Sequence, residues 1–415
     1  MDVVSGRKLL RPLGALEKYT WLIDVFGPKH FTVSAEIEGQ TTLNEWVQAI
    51  NKLQMRHPLI CSGVDTNHNG ELCFFYDDNA IIRVRTVNLR KVSSLENEIE
   101  REYASPFSEG DYSLMKVAFL HDEERCIVIV TTHHVIADGL SVASFIKDLV
   151  SIVAGKELPA LPLLPSLEYA YKNIQENKLP GEMNIQSLKK PRDYAERNQK
   201  KLNVTRLKLS TGLTEKIIQK AKERQITIHC LVSAALALAR DNLSGKAEDS
   251  VRICTPVNAR KHTDLNYGLC FFALIPTHEY KINSASTIWS VADEISASLN
   301  EVKTKEGIAS LIKCAKPFME SKNINDMIDY DKEQIAPDIT ISNLGIIEEP
   351  GGVGHLTLKA VWGPCVLIGT EGEHMVGVAT INGSIHLIHI TYEGSCNLLK
   401  MAEQILADNI LVTSV

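Results

Sequence analysis

The sequence lacks the features of disulfide-rich, metal-cluster and nucleic-acid-binding proteins. Its nine cysteines are scattered without a Cys-x-x-Cys pair, and most lie in apolar runs, which favours buried thiols over disulfides or a zinc cluster. The net charge of −7 leaves no basic excess. We therefore expect no metal site and no nucleic acid as a partner, because a nucleic-acid interface needs a basic face.

Long hydrophobic runs are also missing. The strongest run, residues 231–239, is too short to cross a bilayer. Residues 1–8 lack the basic flank and apolar stretch of a signal peptide. Together with the unpaired cysteines, these features predict a protein of the reducing cytoplasm without a transmembrane segment.

The chain also has no Gly-rich phosphate loop and no regular strand–helix–strand repeat, which disfavours a nucleotide-binding doubly wound sheet. A length of 415 residues exceeds what one hydrophobic core usually serves, so two domains are expected. A charged, structure-poor passage at 184–203 suggests the connection between them. We predict an N-terminal half over residues 1–180 and a C-terminal half over residues 181–415.

Apolar periodicity in the first half predicts strands and helices in mixed order. Residues 31–39 alternate apolar and polar side chains as a half-buried strand does, and an amphipathic helix should begin near Thr42. A hairpin is expected around Gly70. Two further strands, 114–120 and 126–132, lead into a pair of histidines, after which a strongly amphipathic helix follows.

The second half repeats this mixture of elements. We expect two consecutive helices, a strand, four short strands and a final helix, at 214–224, 227–240, 251–255, 338–342, 354–362, 373–381, 384–392 and 397–408. The whole chain is therefore predicted to be of the α/β class with mixed sheets.

The sharpest signal is His133-His134-x-x-x-Asp138-Gly139. Adjacent side chains on a strand face opposite ways, so one histidine can point at a substrate while the other is buried. A neutral imidazole can take a proton from an attacking hydroxyl or amine and pass it to a leaving group. Asp138 can fix the geometry through an ion pair, although an acidic residue here could also simply cap the following helix.

This motif resembles that of the superfamily of chloramphenicol acetyltransferase and the condensation domains of nonribosomal peptide synthetases. Plant alcohol acyltransferases and mycobacterial polyketide-associated acyltransferases belong to the same superfamily. The plant signature Asp-Phe-Gly-Trp-Gly is absent, and the sequence looks closest to stand-alone polyketide-associated O-acyltransferases. Further segments that resemble the family in the right order are 11–17, 56–60, 105–116, the helix opening at 227, 256–260, and 342–345, which is similar to its crossover segment.

The resemblance implies two similar α/β halves that meet in a V, with a tunnel at their junction. His134 would be the general base and His133 its structural partner, while Gly139 would keep the channel open. Asp138 would pair with Arg260. The resemblance also places Ser342 and Asn343 where the second half approaches the site; Ser342 could donate a hydrogen bond to the oxyanion, although ordinary turn chemistry explains this serine equally well. Phe271 and Phe272 are expected to pack or to line the channel.

The resulting hypothesis is an acyltransferase that moves an acyl group from a thioester to a hydroxyl. The donor would be acyl-CoA or a phosphopantetheine-linked acyl group, bound as a substrate and with no permanently bound cofactor. Amide formation with an amine acceptor is the alternative, and a non-catalytic carrier-binding module is a third possibility. A basic patch (Lys189, Lys190, Arg192, Lys200 and Lys201) could dock an acyl carrier protein, although a solvated linker accounts for it better.

Overall fold

The computed structural model describes residues 3–411 apart from 5, 28, 109, 173–200, 245–249, 266–267, 322, 348–351 and 395–396. We call the residues up to 172 the N-terminal part and those from 201 the C-terminal part. The predicted boundary at 180/181 lies outside the described residues, as does most of the predicted connection at 184–203 and all of the basic patch except Lys201. The two-domain division stays a prediction.

Strands and helices alternate irregularly along both parts. The described strands are β1 (Val3–Val4), β2 (Arg7–Pro12), β3 (His30–Glu38), β4 (Ser62–Thr66), β5 (Leu72–Tyr76), β6 (Arg83–Asn88), β7 (Met115–His121), β8 (Arg125–His133), β9 (Asn203–Lys208), β10 (Ser250–Cys254), β11 (Val257–Asn258), β12 (Ala273–Leu274), β13 (Thr277–Lys281), β14 (Ile339–Ile346), β15 (Thr357–Cys365), β16 (His374–Ile381) and β17 (Ser384–Thr391). The described α-helices are α1 (Ala15–Ile23), α2 (Leu43–Arg56), α3 (Leu95–Tyr103), α4 (Gly139–Val153), α5 (Leu167–Ala170), α6 (Thr211–Glu223), α7 (Ile228–Ser244), α8 (Ile288–Val302), α9 (Lys305–Met319), α10 (Ile324–Tyr330) and α11 (Leu398–Ile410).

A five-stranded mixed sheet forms the centre of the N-terminal part, in the order β15-β3-β8-β7-β6. Only the β6–β7 pair is parallel. Alternation along β8 sends Val128 and Val130 into a core with Trp46 of α2 and Phe145 of α4, whereas Ile129 joins a second core with α3. The sheet is therefore covered by helices on both faces, and its strands are apolar on both sides.

A six-stranded mixed sheet forms the centre of the C-terminal part, in the order β13-β10-β14-β16-β17-β9. The pairs β10–β14 and β14–β16 are parallel and the others are antiparallel. Helices α6, α7, α8 and α11 supply the apolar side chains that pack with this sheet. The predicted α/β class with mixed sheets is confirmed.

Strand β15 joins the two parts. It follows β14 in the chain, yet it pairs antiparallel with β3 of the N-terminal sheet. The prediction that residues 342–345 form the crossover is wrong, because those residues lie in β14 and pair with β16 inside the C-terminal sheet. The error has a physical cause: alternating strands predict pairing, but they do not say which sheet supplies the partner.

Candidate active site

The histidine pair stands at the end of β8, where its backbone is held from both sides. The His133 amide donates to Leu114 O at 2.9 Å, and the His134 amide donates to Lys29 O at 2.7 Å. The amide of Ile136 then donates to His133 O at 3.2 Å and closes the turn. Backbone hydrogen bonds alone therefore fix the end of β8.

His133 is buried on the face of β8 that turns away from α4. Its Nδ1 accepts from the Val135 amide at 3.0 Å, so the ring proton is on Nε2, which lies 3.3 Å from Asp24 Oδ1. Burial opposes ionisation of Asp24, but its contacts with His133 and Lys29 outweigh that effect and leave the pKa of this carboxyl below its usual value. The structure thus places His133 in a hydrogen-bonded framework.

The His134 ring lies on the opposite side of the chain, between two phenylalanines. Phe31 of β3 stacks on it with ring centroids 4.1 Å apart and planes inclined by 22°. Phe271 of the C-terminal part lies 4.9 Å away at 32°. His134 as a whole is half-buried, and its ring contacts the C-terminal part of the chain through Phe271.

One ring nitrogen of His134 is hydrogen-bonded to the backbone, and the other is not. Nδ1 lies 3.0 Å from Ala137 O, and because a carbonyl only accepts, Nδ1 carries the proton. Nε2 keeps its lone pair and makes no hydrogen bond to any residue within the described ranges. Burial lowers the pKa of His134 to about 3, although Ala137 and Asp138 act in the opposite direction. The ring is therefore neutral with a basic nitrogen available.

Asp138 caps helix α4 and binds the C-terminal part at the same time. Its Oδ1 accepts from the Ser141 amide at 2.9 Å, while its Oδ2 accepts from Arg260 Nη1 at 2.6 Å and from the Phe272 amide at 2.9 Å. Burial opposes ionisation, but the Arg260 charge and these hydrogen bonds leave the pKa of Asp138 below its usual value. The cap and the ion pair considered from sequence are both present.

Arg260 is buried, and both of its terminal nitrogens donate hydrogen bonds. It follows β11, and its Nη2 donates to Ser141 Oγ at 2.6 Å and to Cys270 O at 2.9 Å. Its backbone amide donates to Asn258 Oδ1 at 2.9 Å, which orients the short helical turn that carries it. The guanidinium thus links the first turn of α4 to the segment before β12.

Gly139 has little space for a side chain. A Cβ at this position would lie 3.0 Å from Leu344 Cδ2 and 3.2 Å from Pro364 Cγ. The missing side chain therefore lets α4 approach strands β14 and β15 closely. That Gly139 also keeps a channel open stays a prediction.

Ser342 and Asn343 lie in β14, and no described contact joins either residue to the His134 ring. Asn343 Oδ1 accepts from the Gly345 amide at 2.7 Å and supports an irregularity in the strand. The Ser342 hydroxyl is half-buried and makes no hydrogen bond to the residues that the structure describes. Leu344, two residues further along the strand, packs near Gly139. The part of Ser342 in oxyanion binding stays a prediction, as does the tunnel.

Several site residues had no assigned role at the level of sequence. Asp24, Ser141 and Cys270 are the polar partners of the motif, and Phe31 is an aromatic neighbour of its second histidine. Phe31 stands at an inward position of a predicted strand, which was the one available signal. The other three depend on contacts between distant parts of the chain.

Two further segments that resemble the family fix the scaffold around the site. Arg11 and Glu17 form a bidentate pair with two distances of 2.7 Å, and Glu17 also accepts from the Gly14 amide at the start of α1. Arg56 Nε donates to Asp148 Oδ2 of α4 at 2.8 Å, and its Nη1 donates to Pro159 O. These arginines bind helices α1 and α4 to residues 158–165, a stretch that carries three prolines.

Within the described residues, the structure shows neither a metal-binding cluster nor a single helix able to span a membrane. The described residues contain no group of three or more His, Cys, Asp or Glu arranged to hold a metal ion. Within them, no single helix is long and apolar enough to cross a membrane, and only the pair α6–α7, bent by 110°, passes such a test together. All eight described cysteines are free thiols, and seven of them are buried.

Comparison with known proteins assigns a family to this geometry. The family model described as Condensation domain matches residues 27–309. Over 272 residues, 60% of this chain, the sequence is 24% identical to Gramicidin S synthase 2 from Brevibacillus brevis, and the match spans only 6% of that protein.

Solved structures share the fold over nearly the whole chain. Polyketide synthase associated protein 5 from Mycobacterium tuberculosis is similar with a TM-score of 0.67 and 16% identity, covering 96% of this chain and 98% of that one. The condensation domain of a Monacolin K polyketide synthase is similar with a TM-score of 0.70 and 12% identity, covering 98% of both chains. With a family match over more than half of its length, this chain belongs to the condensation-domain family.

Proposed function

We propose that this chain is an acyltransferase in which His134 is the general base. The observation that carries the proposal is the state of its imidazole: Nδ1 is held by Ala137 O at 3.0 Å, so that Nε2 is left as a proton acceptor at the junction of the two parts. Family membership supports acyl transfer from a thioester. The ring's position between Phe31 and Phe271 supports a base that does not rotate.

The proposed reaction has one proton donor and one leaving group. Nε2 takes the proton of the acceptor hydroxyl while its oxygen attacks the thioester carbonyl carbon. The tetrahedral oxyanion collapses, the C–S bond breaks, and the sulfur takes the proton back from the imidazolium. With a pKa of about 3, the free imidazole is a weak base, so the proton moves in concert with attack, when the oxyanion's negative charge stabilises the imidazolium.

Ser342 is our candidate for a hydrogen-bond donor to the oxyanion. Ser342 is partly exposed, and Leu344, two residues further along β14, packs close to Gly139 in the motif. A donor directed at developing charge commonly contributes about a hundred- to a thousand-fold in rate. A loss of turnover of this order in Ser342→Ala would support Ser342 as the oxyanion donor. An unchanged kcat in this variant would contradict that role.

The donor is proposed to be acyl-CoA or an acyl group on a phosphopantetheine arm. Condensation domains act on thioesters carried in this way, and nothing in the proposed steps needs a permanently bound cofactor. Of the predicted basic patch, only Lys201 is described, and its Nζ lies 3.7 Å from Glu100 Oε2. Docking of a carrier protein by that patch stays a prediction.

A hydroxyl acceptor is our first proposal, and an amine acceptor is the second. The similarity to part of a peptide synthase favours the amine. The two differ in their need for a base: a neutral amine attacks a thioester without prior deprotonation, whereas an alcohol depends on proton removal during attack. The effect of removing His134 should therefore be larger for the alcohol.

The test measures turnover of an acyl-CoA and an acyl-phosphopantetheine thioester with matched alcohol and amine acceptors, followed by mass spectrometry. We expect His134→Ala to remain folded and to lose about a hundred- to ten-thousand-fold in rate with the productive acceptor. His355→Ala, at an exposed histidine, is the matched control. Near-normal turnover in His134→Ala would refute the mechanism, and no acylated product with any donor in the wild type would favour a non-catalytic carrier-binding module.

A further inference from the structure

Phe271 belongs to a segment, residues 270–272, that is fastened to the first turn of α4. The Ser141 hydroxyl donates to Cys270 O at 2.9 Å and accepts from the Cys270 amide at 3.3 Å and from Arg260 Nη2 at 2.6 Å. A hydroxyl has one proton and two lone pairs, so Ser141 is fully used. Arg260 Nη2 also donates to Cys270 O at 2.9 Å, which fixes the backbone on one side of Phe271.

The backbone on the other side of Phe271 is fixed by the motif itself. The Phe272 amide donates to Asp138 Oδ2 at 2.9 Å, and the same oxygen accepts from Arg260. Asp138 is buried, so the contact is shielded from water. The residue between two anchored neighbours has little freedom to move.

The ring of Phe271 is thereby brought onto the His134 imidazole. The two centroids are 4.9 Å apart, and Phe31 lies 4.1 Å from the same imidazole. Phe31 and Phe271 make no ring contact with each other among the described residues, so they flank the imidazole from opposite faces. One of these rings comes from each part of the chain.

We propose that Phe271 is a positioning residue for the general base, holding the His134 ring in place and shielding it from water. The Asp138–Arg260 pair and Ser141 hold Phe271 in place and so position the base, and Asp138 also acts on the imidazole electrostatically. This inference rests on the proposed function of His134. Asp138 thereby helps to position His134, although its carboxylate binds Arg260 and not the imidazole.

Loss of the Phe271 ring should change the imidazole even when no substrate is turned over. Water reaching the imidazole favours its charged form, so removing the Phe271 ring should raise the pKa of His134 toward its ordinary value near 6.5. The other groups that act electrostatically on the ring are Asp138, His133 and Lys29, and substitution of Phe271 changes none of them. A raised pKa of His134 can therefore be assigned to the loss of the Phe271 ring.

The experiment is an NMR titration of isotope-labelled histidine in the full chain, with His134→Ala identifying the resonance. We expect Phe271→Ala to raise the pKa of His134 by about one unit or more and Phe271→Leu to raise it less. We also expect kcat to fall by about ten- to a hundred-fold, with a much smaller change in KM for the donor. Phe119→Leu, at a buried phenylalanine that packs on Trp46, is the matched control and should leave the His134 titration unchanged.

Ser141→Ala tests the anchoring by a second route. It removes the hydroxyl that holds Cys270, so the His134 titration should shift in the same direction. In a protein that already carries Phe271→Ala, Ser141→Ala should produce no further shift. A titration that is unchanged in both single variants would overturn the inference, even if His134→Ala had abolished turnover. Normal turnover in His134→Ala would instead contradict the proposed function of His134, whatever the titrations showed.

Discussion

Arg260 Nη1 and Asp138 Oδ2 lie 2.6 Å apart although 122 residues separate them in the chain. Both side chains are less than a tenth exposed. The pair joins the turn after β8 to the segment after β11, so one ionic contact binds the two parts of the molecule beside the candidate base.

Removing one member of this pair should be costly. Asp138→Ala leaves the Arg260 charge buried without its partner and removes the cap of α4, and we expect a loss of about 3–5 kcal/mol in the free energy of unfolding. Denaturant unfolding followed by circular dichroism measures it. The exposed pair Arg224–Asp293 is the matched control, and Asp293→Ala should cost at most about 1 kcal/mol. Equal losses in the two variants would contradict the view that burial makes the first pair essential.

The close packing at Gly139 gives a prediction about glycine in helix first turns. Gly212 stands in the first turn of α6 with open space where an alanine methyl would lie, so Gly212→Ala should stabilise the protein by about 0.5–1 kcal/mol. Gly139→Ala should lack that gain or lose stability, because the new methyl meets Leu344 and Pro364. Thermal melts of both variants test this, and Leu344→Ala should relieve Gly139→Ala. A stabilised Gly139→Ala would disprove the packing argument.

The activity should persist at acidic pH. Because the pKa of His134 is lowered to about 3, the imidazole stays neutral and able to accept a proton well below pH 6.5. With an alcohol acceptor, which does not itself titrate here, kcat/KM should show no acid limb near pH 6.5. A pH profile between pH 5 and 9 measures this, and a limb centred at 6.5 would show that the ring is hydrated in the free protein.

Stability, in contrast, should decline as the solution becomes acidic. Burial lowers the pKa of His30 to about 4 and that of His389 to about 3, while in the unfolded chain both titrate near 6.5. Below pH 6.5 the unfolded chain binds more protons than the folded one. The contribution of each group is complete above pH 6.5 and is lost as the pH falls toward the folded pKa, with a slope of at most about 1.4 kcal/mol per pH unit.

Unfolding in urea at several pH values between 4.5 and 8 measures that slope. His30→Leu should be less stable than the wild type at pH 8, since Tyr103 O loses its partner at 2.7 Å. Its stability should nevertheless fall less steeply with acid, because one proton-binding group is gone. If the free energy of unfolding of His30→Leu fell with pH as steeply as that of the wild type, His30 would not contribute to the loss of stability in acid.

Much of the local structure could be predicted from the sequence. The predicted strands and helices around the motif correspond to β3, α2, β7, β8 and α4, and the predicted strands at the chain's end correspond to β14 to β17. Helices α1, α8, α9 and α10 were not assigned from sequence. Alternation along β8 was enough to separate His133 from His134, because successive side chains of a strand face opposite ways.

The amino-acid sequence by itself determined which residues form strands and helices near the motif, and that the two histidines face opposite ways. These depend on neighbours within a few positions. Only the tertiary structure decided that β15 pairs with β3, that Gly139 packs on Leu344, and that Phe271 covers the imidazole. Such contacts join residues far apart in the chain, and their partners are chosen by packing and burial, which periodicity does not encode.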